Sequence, residues 1–386
     1  MAGIATFPGP LIDAAPEVRL AHFDRVTIAH PVLVEIDKAL KASIARAARG
    51  TIVLVFGPAG SGKTTLLART EQWLVERAMP DLKADPNRFA AVRVEAVTEG
   101  QPGFHWGDYY RRVLMALDEP LVDDKVDPKA RMLRAEEGVR RFARRRATTG
   151  DLRYEVEQTL AYRRPAACLV DEAHHLAKTG SGRRLLDQLD TVKSLANLAG
   201  VPHVLVGSYG LLDFSILSGQ LSRRSVLLHL RRYRGDSAAD VHAFQRAVLT
   251  FQRHLPLKEE PDLVASWEYL MIHSVGCIGN LKDWLRRALH AAIADGGSLK
   301  VNHLEQTALG VAQCRSIAAE AWEGEQRLSA TAESTAELRR LTGFDVREES
   351  SDRSAVTRAR SKGGAKKPRR PGSRLPKRDR VGADAC

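Results

Sequence analysis

Two hydrophobic rhythms alternate through the first 235 residues of the chain, and a single one continues after them. Ile52 to Phe56 is an unbroken apolar run closed by a glycine, the signature of a strand buried on both faces. Ahead of it, about Val32 to Ala47, Leu33, Ile36, Leu40 and Ile44 share one helical face. Further strand patterns fall at Phe89–Val97, where Ala91, Arg93 and Glu95 alternate with Ala90, Val92 and Val94, then at Ala166–Val170, Val201–Gly207 and Ser225–Leu230. Strands separated by helices on this scale predict an α/β fold with a five-stranded parallel sheet covered on both faces. From Asp236 to about Ala321 the spacing is helical and requires no strand.

The first strand runs directly into Gly57-Pro58-Ala59-Gly60-Ser61-Gly62-Lys63-Thr64-Thr65, a complete G-x-x-x-x-G-K-T followed by a helical pattern. Glycines let such a loop wrap phosphates closely, and a helix start aims free N–H groups at the same point. Lys63 then neutralises the β and γ phosphates and the Thr64 hydroxyl coordinates Mg²⁺. The third strand ends in Asp171-Glu172, a Walker B pattern: Asp171 is placed to hold Mg²⁺ and Glu172 to polarise the attacking water. The expectation is a hydrolase of a nucleoside triphosphate that uses Mg²⁺.

Composition narrows this picture only at its edges. A chain of 386 residues with 44% apolar content can bury one sizeable domain and a smaller one. Cys168, Cys277, Cys314 and Cys386 form no C-x-x-C pair and no metal-ligand spacing. With no signal-like N-terminus and no apolar stretch near about 18 residues, the expectation is a cytoplasmic protein without a membrane span. Charge is more telling. The net charge is +12, of which residues 353–386 carry +10, so the body is nearly neutral. That tail, rich in Pro, Gly and Ser, has little to bury and is expected to stay disordered; it suits a polyanion, an acidic partner or plain solubilisation.

Single positions add weaker signals. Ser208 ends the fourth strand, where a hydroxyl can meet the attacking water or simply form a turn. Arg223-Arg224 precedes the fifth strand, and one of them presented to a neighbouring subunit would serve as a finger. Lys282 opens a helix whose apolar face is Trp284, Leu285, Ala288, Leu289 and Ala292; it either faces water or reaches a bound phosphate.

Together, the two Walker motifs, the polar strand end, the arginine pair and the basic residue of a lid helix resemble an AAA+ ATPase. The segments Asp171-Glu-Ala-His-His175, Phe104-His-Trp-Gly-Asp-Tyr-Tyr110 and Ser274-Val-Gly-Cys-Ile-Gly279-Asn-Leu-Lys-Asp-Trp-Leu285 look like the TniB/TnsC group of transposition ATPases, related to MuB and IstB, over residues 17 to 310. That resemblance implies a P-loop AAA+ core with a C-terminal helical lid. It also implies a homo-oligomer, ring or helical filament, on double-stranded target DNA, linking a TniQ/TnsD-like targeting protein to a DDE transposase of the TnsB/TniA kind and disassembling on hydrolysis. Carried over, Ser208 is sensor 1, Arg223 or Arg224 the trans finger, Lys282 sensor 2, and His30-Pro31 the hinge over adenine. Arg111 and Arg112 are candidate DNA contacts. So is the cluster Arg140, Arg141, Arg144, Arg145 and Arg146, which also suits a salt-bridged helix end.

The expected domains are an N-terminal extension and first helix (1–50), the nucleotide-binding core (51–235), the lid (236–321), a helical extension (322–350) and the tail (351–386). Asp171-Glu-Ala-His174 also matches a D-E-A-H helicase box, but the second RecA-like domain such an enzyme needs is missing from the pattern. The remaining alternatives are an NTPase switch in signalling or defence and a replication initiator or loader-like AAA+ ATPase.

Overall fold

The structure, a computed structural model, describes residues 7–98, 103–120, 122, 147–177, 183–217, 225–333 and 339–344. The chain divides into a body, Met1–Ser329, and a C-terminal unit, Ala330–Cys386. In the body, helices α1 (Pro16–Arg25) and α2 (Pro31–Ala45) lead into strand β1 (Ile52–Phe56) and helix α3 (Lys63–Ala84). Strand β2 (Val92–Glu95), α4 (Trp106–Ala116), α5 (Thr149–Arg163), β3 (Cys168–Asp171), α6 (Arg183–Ala199), β4 (His203–Gly207), α7 (Leu212–Leu217) and β5 (Ser225–His229) complete the α/β part. The helices α8 (Ala238–His254), α9 (Trp267–His273), α10 (Ile278–Ala294), α11 (Val301–Thr307) and α12 (Val311–Glu333) follow.

The five strands form one sheet in the order β2-β3-β4-β1-β5, with every pairing parallel. Because side chains alternate across a strand, the apolar runs feed two cores at once. Val53, Val55, Leu169, Val204 and Val206 face a layer built from α2, α3 and the helices after β5. Ile52, Leu54, Phe56, Cys168, Val170 and Leu205 face a second layer with α4, α5 and α6. Both faces are therefore covered, as the periodicity predicted.

Strands β2 and β4 start inside the predicted limits for identifiable reasons. Pro202 has no N–H to give, so the β4 ladder starts at His203, while the Pro202 carbonyl still accepts from Cys168 N at 2.9 Å. At the start of β2, Phe89 N donates to Arg163 O and Ala90 O accepts from Ala166 N, bonds to the α5–β3 connection that precede the regular ladder. Helix α2, expected from about Val32, starts at Pro31 on a His30 cap, whose Nδ1 accepts from Leu33 N at 3.4 Å, and α1 precedes it in the stretch expected to be a loose start. The last helix of the body, α12, runs without a break through residues 321 and 322.

Register decides where chemistry can occur. Phe56 lies opposite Gly207 and His229, and Val170 opposite Leu205, so β1, β3, β4 and β5 all end at one edge. Chain order reverses about β1, since β2 to β4 lie on one side and β5 on the other. A crevice at the carboxyl ends of strands opens at such a switch point, and the loop after β1 emerges into it.

Candidate nucleotide-binding site

The loop between β1 and α3 is shaped by its glycines and closed by its lysine. Gly62 caps α3 at φ +99°, which a side chain rarely adopts. Lys63 Nζ turns back to donate to Gly57 O at 3.0 Å and Pro58 O at 2.8 Å. Burial lowers its pKa, while the negative charges of Glu172, Glu320 and Asp171 oppose that shift. The ammonium is thus a charge held in the mouth of the loop by local carbonyls. Ser61 Oγ is buried without a hydrogen-bond partner, Thr64 is exposed and Thr65 half-buried.

The end of β3 supplies the carboxylates. Asp171 Oδ1 accepts from the Glu172 backbone N–H at 3.0 Å, and its Oδ2 lies 3.4 Å from Arg93 Nη2. Arg93 also reaches Glu71 at 3.4 Å, so a strand-β2 arginine sits between the β3 aspartate and helix α3. Glu172 has φ +50°, a left-handed conformation costing a non-glycine residue about 1–3 kcal/mol. Its carboxylate lies 3.0 Å from His174 Nδ1. Ser208 is half-buried at the end of β4 and starts the turn Tyr209–Leu211.

The lid helix α10 docks straight onto the loop. Gly279 N donates to Gly60 O at 2.8 Å, and Asn280 Nδ2 donates to Ala59 O at 3.3 Å and Ser274 O at 3.2 Å. A Cβ on Gly279 would come within 2.5 Å of Gly60 O, and one on Gly60 within 1.8 Å of Asn280 Oδ1. The approach thus depends on two facing glycines. One turn on, Lys282 Nζ donates to Asp24 O at 2.7 Å and Arg286 pairs with Asp24 at 2.6 Å, tying the lid to the N-terminal helix α1. Burial lowers the Lys282 pKa. Lys282 shares a cleft with Val26, Ile28, His30, Ser61 and Ile278. His30 is held neutral by burial, its pKa lowered to about 4, and it hydrogen-bonds Tyr233 Oη at 2.9 Å.

The sequence of residues 46–214 matches the AAA domain family model. The chain has the P-loop AAA+ fold, a five-stranded parallel sheet flanked by helices, and the domain is one that binds nucleotides. Similar solved structures include the ORC2 protein of Aeropyrum pernix in ADPNP–ADP complexes, with 15% identity, 75% of this chain and 72% of that chain covered, and a TM-score of 0.49. ORC1 of Aeropyrum pernix in complex with DNA gives 17%, 80%, 70% and 0.47, and the Walker-type ATPase paby2304 of Pyrococcus abyssi gives 15%, 83%, 80% and 0.44. No curated protein matches the sequence.

Of the expected site residues, the AAA domain and its lid bring together Gly57 to Thr65, Asp171, Glu172 and Ser208 at the sheet edge, and His30 and Lys282 beside the loop. Pro31 is the first residue of α2. Arg223, Arg224, Arg140, Arg141, Arg144, Arg145 and Arg146 lie outside the described residues, as does the tail 351–386. Arg111 and Arg112 lie on α4, where Arg112 pairs with Asp108 one turn back at 2.6 Å. Among the described residues no helix is long and apolar enough to cross a membrane.

Several participants carried no usable signal in the sequence. Arg93 read as one polar position of an alternating strand, yet it pairs with Asp171, 78 residues away. Tyr209 Oη and His229 Nε2 lie 2.9 Å apart across the ends of β4 and β5, and His229 stacks on Phe56 with ring centroids 5.4 Å apart. Burial lowers the His229 pKa to about 4 and raises that of Tyr209.

The residues present fit a Mg²⁺–triphosphate. The buried Ser61 hydroxyl lacks a partner, the loop carbonyls hold a lysine that a phosphate can attract away, and the exposed Thr64 hydroxyl and the Asp171 carboxylate are both hard oxygen donors suited to Mg²⁺.

Proposed function

We propose that this chain is an ATP-hydrolysing AAA+ regulator of DNA transposition, which oligomerises on double-stranded DNA in its ATP state and disperses after hydrolysis. The observation that carries the nucleotide part is the convergence of the loop, the β3 carboxylates and the lid helix, with Lys63 free to exchange loop carbonyls for phosphate oxygens. The transposition part rests on the resemblance of the 104–110, 171–175 and 274–285 segments to TniB/TnsC proteins.

In this mechanism Lys63 binds the β and γ phosphates, and the N–H groups opening α3 point at them. Thr64 and Asp171 hold Mg²⁺, which neutralises charge developing on the phosphates when bound. Glu172 orients the attacking water; leaving His174 and turning towards that water is a change of partner for an already strained backbone. Ser208 donates a hydrogen bond at the same edge. Lys282 and the His30-Pro31 hinge hold the nucleotide between core and lid.

An arginine at 223 or 224 from a neighbouring copy joins two chains through the γ phosphate. Oligomerisation then multiplies weak contacts from Arg111, Arg112, the 140–146 cluster and the basic tail into strong, salt-sensitive DNA binding. A TniQ/TnsD-like targeting protein and a DDE transposase are the protein partners.

The test is Glu172→Gln on duplex DNA with ATP. The variant is expected to bind ATP, to hydrolyse it at least about a hundredfold more slowly, and to remain on DNA correspondingly longer. Dissociation as fast as the parent would mean that hydrolysis does not govern release.

A further inference from the structure

The C-terminal helix of the body, α12, lies at the catalytic edge without taking part in the phosphate chemistry. Its Gly324 packs on the face of Tyr209, where a Cβ would come within 2.2 Å of the ring. Glu325 accepts from Arg232 Nε at 2.8 Å and Nη2 at 3.1 Å, and from Arg234 Nη1 at 3.3 Å. Arg327 pairs with Asp213 of α7. The negative charge of Glu320 acts on Lys63 in the same sense as those of Glu172 and Asp171, so it lies within electrostatic reach of the loop lysine. A Cβ on Gly57 would come within 2.2 Å of Leu230 O, so the chain that carries Arg232 two residues later leaves the sheet against the start of the loop.

The manner of attachment matters as much as its place. Beneath the N-terminal half of α12 is a cavity of about 530 Å³, lined by Trp267, Met271, Ile272, Val275, Cys314 and Ala318. Trp322 is 51% exposed, with Arg234 stacked 5.6 Å from its ring. Over residues 320–329, Ala321 is fully buried and Leu328 packs on the core, while Gly324, Glu325 and Arg327 add a glycine contact and ion pairs. A helix held by charges across an incompletely filled space can be released by a stronger competing charge.

We propose that α12 is a detachable acidic strap, in which Glu320 and Glu325 occupy the positive field of Lys63 and Arg232 until a nucleoside triphosphate claims it and displaces the helix. This inference rests on the loop being a triphosphate site. Release uncovers Tyr209, Asp213 and Arg232 at the edge where a neighbouring copy must approach to reach the γ phosphate. Arg232 then turns from Glu325 to the phosphate or to that neighbour. The strap keeps the unliganded chain from assembling, and the nucleotide's apparent affinity is reduced by the fraction of molecules in which the strap is closed.

The test uses the full chain and Mg²⁺ with a non-hydrolysable ATP analogue. Hydrogen exchange in 313–329 is expected to accelerate at saturation while α3 becomes more protected. Arg327→Ala, which opens the strap from its far end, is expected to bind the analogue about three- to tenfold more tightly. That sign is diagnostic, because removing a positive charge near an anion site by electrostatics alone weakens binding. Glu325→Gln should tighten binding as well and exchange rapidly in α12 without nucleotide. If the analogue binds but α12 exchange is unchanged, the strap is refuted whatever the variants do. Weaker binding by a folded Arg327→Ala also refutes it. A parent chain that binds no analogue overturns the nucleotide-site reading, and the strap with it.

Discussion

The two sides of the nucleotide cleft are built on different physics. On the sheet side, β1, β3 and β4 are buried on both faces, and their ends place Gly57, Asp171 and Ser208 by register alone. On the helical side, the lid and α12 meet the loop through hydrogen bonds, ion pairs and glycine contacts: Gly279 on Gly60, Lys282 on Asp24, Glu325 on Arg232, Gly324 on Tyr209. Apolar burial at about 25 cal/mol per Å² makes the sheet side hard to shift. Exposed pairs such as Arg286 with Asp24 are each worth about 1 kcal/mol or less, and the less exposed, bidentate Arg232–Glu325 pair is held by charge for which a phosphate can compete. A rigid edge that positions phosphates and a polar cover that responds to them is a division of labour suited to a nucleotide-driven switch.

The sharpest way to break this contrast is at Lys63, the charge shared by both sides. Lys63→Ala should reduce ATP affinity by at least about a hundredfold in calorimetric titration, since a charge-assisted phosphate contact in a partly buried loop is lost. The thermal midpoint without nucleotide should hardly change, because the side chain only bonds loop carbonyls. A large drop in that midpoint would make Lys63 structural.

Histidines sharpen the comparison through pH. Burial lowers His30, His203 and His229 each to about 4, against 6.5 when exposed. The unfolded chain therefore binds more protons than the folded one between these values, and stability falls as pH drops from about 6.5 to 4. The slope approaches about 1.4 kcal/mol per pH unit for each histidine near pH 5. Chemical denaturation between pH 7 and 4.5 checks this; a flat profile would mean the histidines are not held neutral.

A smaller effect is expected from Gly279→Val, which places atoms where Gly60 O now lies. The lid should lift from the loop and weaken ATP binding about tenfold, with the sheet domain still folded by circular dichroism. Unchanged affinity would show that lid docking does not contribute to nucleotide binding.

How much of this was legible in the sequence follows the same divide. The sheet, its two covering layers and the loop from Gly57 to Thr65 are written in contiguous residues, so periodicity and spacing disclose them. Some element boundaries shifted where a cap or a proline decided them, as for the helix at His30-Pro31 and the strand after Pro202. What stayed hidden depends on residues far apart in the chain: Arg93 with Asp171, Tyr209 with His229, Arg232 with Glu325. Arginine and glutamate on a helix normally read as a solvated face, and nothing local marks Glu325 as lying against the catalytic edge. Its place at a helix start let Lys282 be read as facing water or reaching a phosphate, but its bond to the Asp24 carbonyl comes from how α1 folds under the lid.

The account turns on one link, between the bound triphosphate and assembly on DNA. Light scattering or electron microscopy of the purified chain with duplex DNA and a non-hydrolysable ATP analogue tests it directly. The expected result is large DNA-bound oligomers that form with the analogue, do not form with ADP, and are abolished by Lys63→Ala. A chain that binds the analogue tightly yet stays monomeric and ignores duplex DNA would contradict it.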